Sequence, residues 1–310
     1  MINSGFKVIY YHTVGKRSDC LDFFFPEVPL HSFKYQINKL IKKKYKFVSF
    51  EELYQEYHKK NNVSKLIVLT FDDGYFSNFQ NVKYFLNQKK IPATFFLTGT
   101  TITNKPMWRD KLSFGLNHIR KNNPKDLFVF QQEIKKSLDW KYDEFLSKTD
   151  DLLNRFNIPD PSKLFRKERL YMNKENIHEL IKEGHSLGLH SMHHPYFKNT
   201  NDAEAVTDII QNNDLIKKLF NYEPISFSFP FGVRFPKKLF YEKVIEKTNL
   251  KFFCGINANC FSNTLKSDLK YTERLGMEDP RSFSLNWHIR PIVRSLKNET
   301  KILCSNSHKK

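Results

Sequence analysis

Cysteine and glycine are scarce in this chain, and their scarcity argues against several classes of protein. The 310 residues include four cysteines, with no Cys-x-x-Cys pair, and ten glycines. Such sparse, widely spread thiols predict free cysteines in a reducing compartment rather than a disulfide framework. The glycines form no phosphate-binding fingerprint, which argues against a doubly wound nucleotide-binding sheet.

Long apolar runs are also absent. No stretch of 18 apolar residues occurs, so the sequence predicts no membrane-spanning helix. Residues 1–7 lack the basic region, apolar core and small-residue cleavage site of a signal peptide. We therefore expect a cytoplasmic protein, either free or peripheral to the inner face of the membrane.

Acidic residues are outnumbered by lysines and arginines, 33 to 51, which gives a formal net charge of +18. This excess is typical either of a basic face for an anionic partner or of a lysine-rich genome. Lysines occur along the whole chain, with a local block only at residues 42–44. No nucleic-acid recognition motif occurs, so we expect no nucleic-acid partner. An anionic sugar carrier or a membrane surface is compatible with the charge.

Short apolar segments alternate with amphipathic ones, the pattern of β/α units. Strands are predicted at residues 7–11, 47–49, 66–71, 91–97, 186–189, 225–229, 251–256 and 271–275. Helices are predicted to begin near residues 32, 51, 78, 173 and 203, with a final helix at 280–296. These seven or eight units predict one deformed (β/α)7–8 barrel over residues 1–310. The alternation breaks at residues 104–167, which we interpret as a helical insertion within the barrel.

One predicted strand ends in two adjacent carboxylates. Residues 66–71 carry no charge and are mostly large or β-branched, as in a fully buried strand, and Asp72 and Asp73 follow directly. Two like charges at the end of a buried strand raise the free energy unless an opposite charge compensates them. A bound cation is the simplest compensation.

Histidines and a turn follow other predicted strands. His12, His190 and residues 230–232 each occupy such a strand end, where barrel enzymes carry their chemistry. His190 and His194 are four residues apart, so a helical turn would place them on one face, with His193 pointing elsewhere. Two imidazoles and one carboxylate leave positions open for water and substrate. Such a set suits Zn²⁺, with Co²⁺, Ni²⁺ or Fe²⁺ as alternatives.

These segments resemble the motifs of a known family. Thr70-Phe71-Asp72-Asp73-Gly74 resembles the first motif of the polysaccharide deacetylases, the NodB-homology family (carbohydrate esterase family 4). His190-Ser191-Met192-His193-His194-Pro195 resembles the second motif, and Phe229-Pro230-Phe231-Gly232 resembles the third. The start of the chain, with Tyr10-Tyr11-His12, is similar to the poly-N-acetylglucosamine deacetylase branch. The resemblance covers most of the chain outside the insertion.

The resemblance implies a role for each of these residues. It implies that a divalent metal, with zinc expected first, is held by Asp73, His190 and His194. Asp72 would be the general base that takes a proton from water. His12 would be the general acid, and the backbone N–H of Phe231 would stabilise the oxyanion.

The chain departs from the family pattern at several points. Ser228 stands where the third motif often has an arginine that orients the base, and Arg274 is a candidate for that role or for substrate binding. The fourth motif is not evident, and the fifth-motif histidine is absent, which makes His12 more necessary as the acid. Trp108, in the segment Trp108-Arg109-Asp110, is a further candidate for substrate binding because aromatic rings stack on sugars.

These features predict a metal-dependent hydrolase that removes an N-acyl group, above all N-acetyl, from an amino sugar. The reaction would belong to the synthesis of a surface polysaccharide or glycolipid, and the sugar could be linked to a lipid or a nucleotide. Two alternatives are compatible with the same residues. One is a deformylase or another C–N hydrolase on the same metal site, and the other is a catalytically silent carbohydrate-binding barrel.

Overall fold

The strands of the chain form a parallel barrel. The computed structural model describes residues 5–15, 27–232, 238–256, 263 and 271–278. Within these ranges the strands are β1 (Lys7–Tyr11), β2 (Lys46–Phe47), β3 (Leu66–Phe71), β4 (Thr94–Leu97), β5 (Ser186–Leu189), β6 (Ser226–Ser228), β7 (Phe252–Ile256) and β8 (Tyr271–Gly276).

Helices connect the strands and fill the long segment after β4. They are α1 (Leu30–Lys42), α2 (Phe50–His58), α3 (Phe76–Lys89), α4 (Gly99–Ile102), α5 (Trp108–Asn122), α6 (Leu127–Lys136), α7 (Phe145–Arg155), α8 (Ser162–Lys167), α9 (Lys174–Lys182), α10 (Asp202–Phe220) and α11 (Lys238–Lys247). Among the described helices, none has the length and apolar character needed to cross a membrane.

The first strand closes the barrel because it pairs on both sides. β1 runs parallel to β3, from Lys7 opposite Ile67 to Tyr11 opposite Phe71, and it also pairs with β8. The ring order is β1-β8-β7-β6-β5-β4-β3, and β2 pairs with the start of β3. The described strands thus form a closed seven-stranded ring surrounded by helices, and the predicted deformed (β/α) barrel is confirmed.

Side chains alternate between two apolar cores along the strands. Ile9, Leu69 and Leu187 belong to a large cluster between the strands and the helices. Val8 and Val68, which precede Ile9 and Leu69, belong to a second cluster inside the barrel. This cluster also includes Phe96, Phe252 and the α2 residues Phe50 and Leu53. Burial on both faces explains why the strands read as continuous apolar runs in the sequence.

Predicted and observed elements agree in kind and differ mainly at their ends. β1, β3 and β5 occupy the predicted residues. β4 begins at Thr94 instead of residue 91, and Pro92 cannot donate a hydrogen bond to a neighbouring strand. Asn173, the predicted N-cap of α9, accepts a hydrogen bond from the N–H of Asn176. Helix α11 was not predicted, and the final helix predicted at 280–296 lies outside the described residues.

Helices α5 to α8 occupy the segment in which the β/α alternation breaks. They build an apolar cluster of their own around Trp108, Phe130 and Phe145, separate from the two barrel cores. Tyr75, just after β3, and Phe231, just after β6, pack into the same cluster. The helical segment therefore lies against the carboxyl ends of barrel strands. Its treatment as an insertion over residues 104–167 stays a prediction.

We expect Gly188→Ala to destabilise the barrel. A methyl group at Gly188 would lie 2.3 Å from Cδ1 of Phe96 and 3.0 Å from Oγ of Ser226. Overpacking of this kind costs about 1–3 kcal/mol. Urea denaturation should show this loss in the free energy of unfolding. Val129→Ala is the control, because the Val129 side chain is 52 % exposed; it should change the free energy of unfolding by less than about 0.5 kcal/mol. Equal stability of the two variants would contradict the interior packing.

Candidate active site

Several chain segments bring polar residues to one end of the barrel. His12 follows β1, Asp72 and Asp73 follow β3, His190 follows β5, and Phe231 lies in a short turn after β6. Because the strands are parallel, their carboxyl ends share one rim. The structure thus brings together residues that are far apart in the sequence.

Asp73, His190 and His194 converge on one buried point. Nε2 of each histidine lies 3.3 Å from Oδ1 of Asp73, and no member of the set is more than 1 % exposed. Ligand atoms on a tetrahedral Zn²⁺, with bonds of about 2.0–2.1 Å, lie about 3.3 Å apart. Oδ1 of Asp73 is buried and accepts no hydrogen bond from the described residues. An oxygen in this state, facing two imidazole nitrogens, fits a divalent cation.

Each histidine has a ring nitrogen that can face a metal. Nδ1 of His190 lies 2.8 Å from the carbonyl oxygen of Ser228, so Nδ1–H donates there and Nε2 faces Asp73. Burial, reinforced by the charge of Arg109, lowers the pKa of His194 to about 3. The imidazole of His194 is therefore neutral near pH 7.

Residues 190–194 form a loop, so the helical turn that the spacing suggested is wrong. Ser191 and His194 have φ values of +68° and +57°, which a right-handed helix does not allow. Asn212 of α10 accepts a hydrogen bond from the N–H of His190 at 3.1 Å and helps to fix this path. The rings of His190 and His194 still meet, with centroids 4.9 Å apart.

Asp208 of α10, which sequence reasoning missed, holds the middle of this loop. Its Oδ1 accepts from the N–H of Met192 at 2.7 Å, and its Oδ2 accepts from the N–H of His193 at 3.2 Å. Nδ1 of His193 lies 3.0 Å from the same Oδ2, so this ring turns away from Asp73. Tyr142, between α6 and α7, donates to Oδ2 of Asp208 at 2.9 Å and ties the helical segment to the loop.

Arg274 of β8 binds Asp72 with both terminal nitrogens. Nη1 lies 2.7 Å from Oδ1 and Nη2 lies 2.8 Å from Oδ2, and Arg274 is fully buried. Burial by itself would raise the pKa of Asp72, but Arg274, together with His190 and His12, holds the pKa below its ordinary value. Asp72 is thus an ionised carboxylate in a fixed orientation. The predicted substrate contact of Arg274 does not fit this burial, whereas the orienting role considered beside it has the contact it needs.

Arg109, at the start of α5, binds the second oxygen of Asp73. Its Nη2 lies 2.6 Å from Oδ2, and both side chains are buried. Burial alone would raise the pKa of Asp73, but Arg109 and the two histidines hold it well below its usual range. The partners are 36 residues apart in the chain, and no periodic pattern links them. Arg109 was noted only as a neighbour of Trp108, so sequence reasoning missed this ion pair.

We expect Arg109→Met to destabilise the metal-free protein by about 3–5 kcal/mol, because it leaves a buried carboxylate without its partner. Urea denaturation measures the loss. Lys111→Met is the matched control on the same helix, since Lys111 pairs with the exposed Asp150. Such surface pairs contribute about 0–1 kcal/mol. A loss for Arg109→Met no larger than that of the control would contradict the importance of the buried pair.

His12 pairs with Glu278, a second residue that sequence reasoning missed. Nδ1 of His12 lies 2.8 Å from Oε1 of Glu278, and the two side chains are 13 % and 10 % exposed. Burial by itself would lower the pKa of His12, but Glu278, together with Asp73 and Asp72, raises it above its ordinary value. The position of Glu278 in the sequence could have identified it as a candidate site residue, because it follows the end of β8 as Asp72 follows the end of β3.

We expect Glu278→Gln to move the alkaline limb of the kcat/KM profile towards lower pH. The resemblance implies that His12 is the general acid. A general acid acts in its protonated form, so activity in that role should fall as pH rises through the pKa of His12. Glu278 raises that pKa, and a neutral glutamine does not. Glu179→Gln, which alters an exposed pair with Lys83, should leave the limb in place. An unshifted limb in Glu278→Gln would contradict the role of this contact.

Trp108 is buried behind the histidine loop. It is 3 % exposed, and its Nε1–H donates to the carbonyl oxygen of His194 at 2.9 Å. Its ring centroid lies 6.1 Å from that of Phe231, whose ring lies 4.9 Å from that of His194. An open ring face for stacking a sugar, as predicted for Trp108, does not fit this burial.

Phe231 lies in a left-handed turn, with a φ of +57°. The next residue, Gly232, has a φ of +67°, and an added Cβ would lie 2.5 Å from Cβ of Ile256. Glycine is therefore required there, which explains the Pro-x-Gly spelling of this segment. The turn sets Phe231 beside the buried histidines.

Comparisons with known proteins place this site in a family. The family model described as polysaccharide deacetylase matches residues 59–252, more than half of the chain. A comparison with curated proteins gave no match. Similar solved structures include IcaB from Ammonifex degensii, with a TM-score of 0.59 and 16 % identity over 90 % of this chain and 94 % of that one.

Two further structures share the fold. The deacetylase PplD of Streptococcus pyogenes, in complex with acetate, has a TM-score of 0.57 and 15 % identity, covering 89 % of this chain and 93 % of that one. A de-N-acetylase from Aggregatibacter actinomycetemcomitans has a TM-score of 0.56 and 15 % identity, covering 87 % and 94 %. From the match of the family model, the chain belongs to the polysaccharide deacetylases and is a hydrolase of that family.

Proposed function

We propose that the protein is a metal-dependent deacetylase that removes N-acetyl groups from an amino sugar of a surface polysaccharide or glycolipid. The proposal depends on the state of Asp73 Oδ1. This oxygen is buried, accepts no hydrogen bond from the part of the chain that the structure describes, and lies 3.3 Å from two imidazole nitrogens. Membership of the polysaccharide deacetylase family supports the same reaction. The similar structures described as deacetylases agree with it in fold.

In this proposal Asp73, His190 and His194 hold a divalent metal, and zinc suits a set of two nitrogens and one oxygen. When bound, such a metal would polarise the acetyl carbonyl and lower the pKa of a water molecule. Asp72 takes a proton from the attacking water, as an ionised carboxylate held by both nitrogens of Arg274 can do. Adjacent carboxylates thus have different tasks.

His12 is proposed to donate the proton that the leaving amine needs. Its pairing with Glu278 raises its pKa and therefore increases the protonated fraction near neutral pH. The backbone N–H of Phe231 is proposed to donate a hydrogen bond to the oxyanion, a contribution that depends on the turn and not on the phenyl ring. The cytoplasmic location and the lipid or nucleotide linkage of the sugar stay predictions.

We expect Asp72→Asn to lower kcat at least about 100-fold while the protein still binds zinc. Loss of a general base typically costs about 10²–10⁴ in rate, whereas the zinc ligands are unchanged. Release of acetate from N-acetylglucosamine oligomers measures the rate, and elemental analysis measures bound zinc. Asp150→Asn makes the same chemical change at an exposed side chain and should retain full activity.

The same assay separates the alternatives. Formate released from an N-formyl sugar, with no acetate from N-acetyl sugars, would favour a deformylase. If the zinc-loaded protein releases no acyl group from any N-acyl sugar, the result would contradict the proposal and favour a catalytically silent carbohydrate-binding barrel. Removal of metal by a chelator should abolish turnover, and readdition of zinc should restore it.

A further inference from the structure

A cavity of about 700 Å³ opens between α5, α6 and the turn that contains Phe231. Its inner end is lined by Trp108, Arg109 and Phe231, and we call it the insertion pocket. Arg109 binds Asp73, and the ring of Phe231 contacts the ring of His194. Two residues of the pocket wall therefore contact the buried metal-ligand set directly.

Beyond its inner end the wall of the insertion pocket is largely apolar. Its apolar residues are Leu112, Leu116, Ile134 and Leu138. Of the few polar residues on the wall, Ser137 already donates its hydroxyl to the carbonyl oxygen of Ile134 at 2.6 Å. A sugar chain requires many donors and acceptors for its hydroxyls, whereas a hydrocarbon chain requires only such a wall. The volume also lies in the range of about 300–1,000 Å³ that ligand pockets occupy.

The insertion pocket reaches the surface of the protein at Leu138. Leu138 lines the pocket and is 43 % exposed. On α6, Phe128 is 69 % exposed and lies on the same helical face as Gln131 and Lys135, which line the pocket. The pocket thus opens to the surface instead of ending inside the protein. A chain longer than the pocket has a surface along which it can continue.

A cation also lines the insertion pocket. Lys135 is part of its wall and is exposed. A phosphate that joins a sugar to a lipid carrier is an anion that an ammonium group binds well. The net charge of +18 further favours the approach of an anionic carrier. An apolar wall that carries a cation matches a hydrocarbon chain that is linked through a phosphate.

We propose that the insertion pocket holds the hydrocarbon chain of a lipid-linked amino sugar while the N-acetyl group of that sugar lies at the Asp73, His190 and His194 set. The inference rests on the proposed function, because it names the substrate class of the same site. It makes the helical segment a recognition element for the carrier. It also predicts that the length of the aglycone chain governs affinity.

Binding can be measured without turnover, because octyl and methyl β-glucosides contain no amide bond. Isothermal titration of the zinc-loaded protein, below the micelle concentration of the octyl glucoside, should show at least tenfold tighter binding of the octyl compound. Each buried methylene tightens binding by roughly fourfold, so a few buried methylenes are sufficient. Equal affinity for the two glucosides would overturn the proposal.

Matched variants locate the binding site. Leu138→Asp places a charge on the pocket wall at an exposed position and should abolish the octyl preference. Val129→Asp makes a similar change on α6 at a side chain that is 52 % exposed and is not part of the pocket wall, so the preference should persist. Circular dichroism checks that both variants fold. An octyl preference that survives in Leu138→Asp would place the chain elsewhere and overturn the proposal.

Activity separates this proposal from the proposed function. Octyl and methyl N-acetylglucosaminides are compared by kcat/KM, and the octyl compound should be preferred at least tenfold. Deacetylation with no octyl preference would refute the insertion pocket alone. Octyl binding without release of acetate from either compound would refute the deacetylase function and leave the pocket standing.

Discussion

Two adjacent carboxylates, buried where β3 ends, set a requirement that the surrounding structure meets. Asp72 and Asp73 are 1 % and 0 % exposed, and two such charges side by side would normally leave one of them protonated. Each instead has its own guanidinium, Arg274 from inside the barrel for Asp72 and Arg109 from α5 for Asp73. β8 and α5 therefore belong to one electrostatic unit with β3.

Local backbone geometry separates the two carboxylates. Asp73 has a φ of +72° and Gly74 a φ of +77°, so the chain turns sharply as it leaves β3. The side chain of Asp72 reaches Arg274 with both oxygens, whereas Asp73 divides its oxygens between Arg109 and the histidines. Identical residue types thus acquire different environments, which supports the proposal that Asp73 is a metal ligand and Asp72 the general base.

The helical segment is connected to the histidine loop by more than packing. Trp108 donates to the carbonyl oxygen of His194, and Tyr142 donates to Asp208, which in turn holds the loop through two backbone N–H groups. A change in the position of α5 would therefore change the position of His194 and, through Arg109, that of Asp73. If the helical segment binds the lipid carrier of the substrate, that binding would act on the same hydrogen bonds and ion pair that fix the histidine loop and Asp73.

The sequence alone determined the barrel, the bounds of β1, β3 and β5, and the residues at the strand ends, because apolar periodicity and strand-end position are local properties. Tertiary structure alone decided how these residues are partnered. Glu278 meets His12 across 266 residues, and Arg274 meets Asp72 across 202, since ring closure sets β8 beside β1 and β1 beside β3. The path of residues 190–194 also depended on α10, whose Asn212 and Asp208 hold a loop where spacing alone suggested a helical turn.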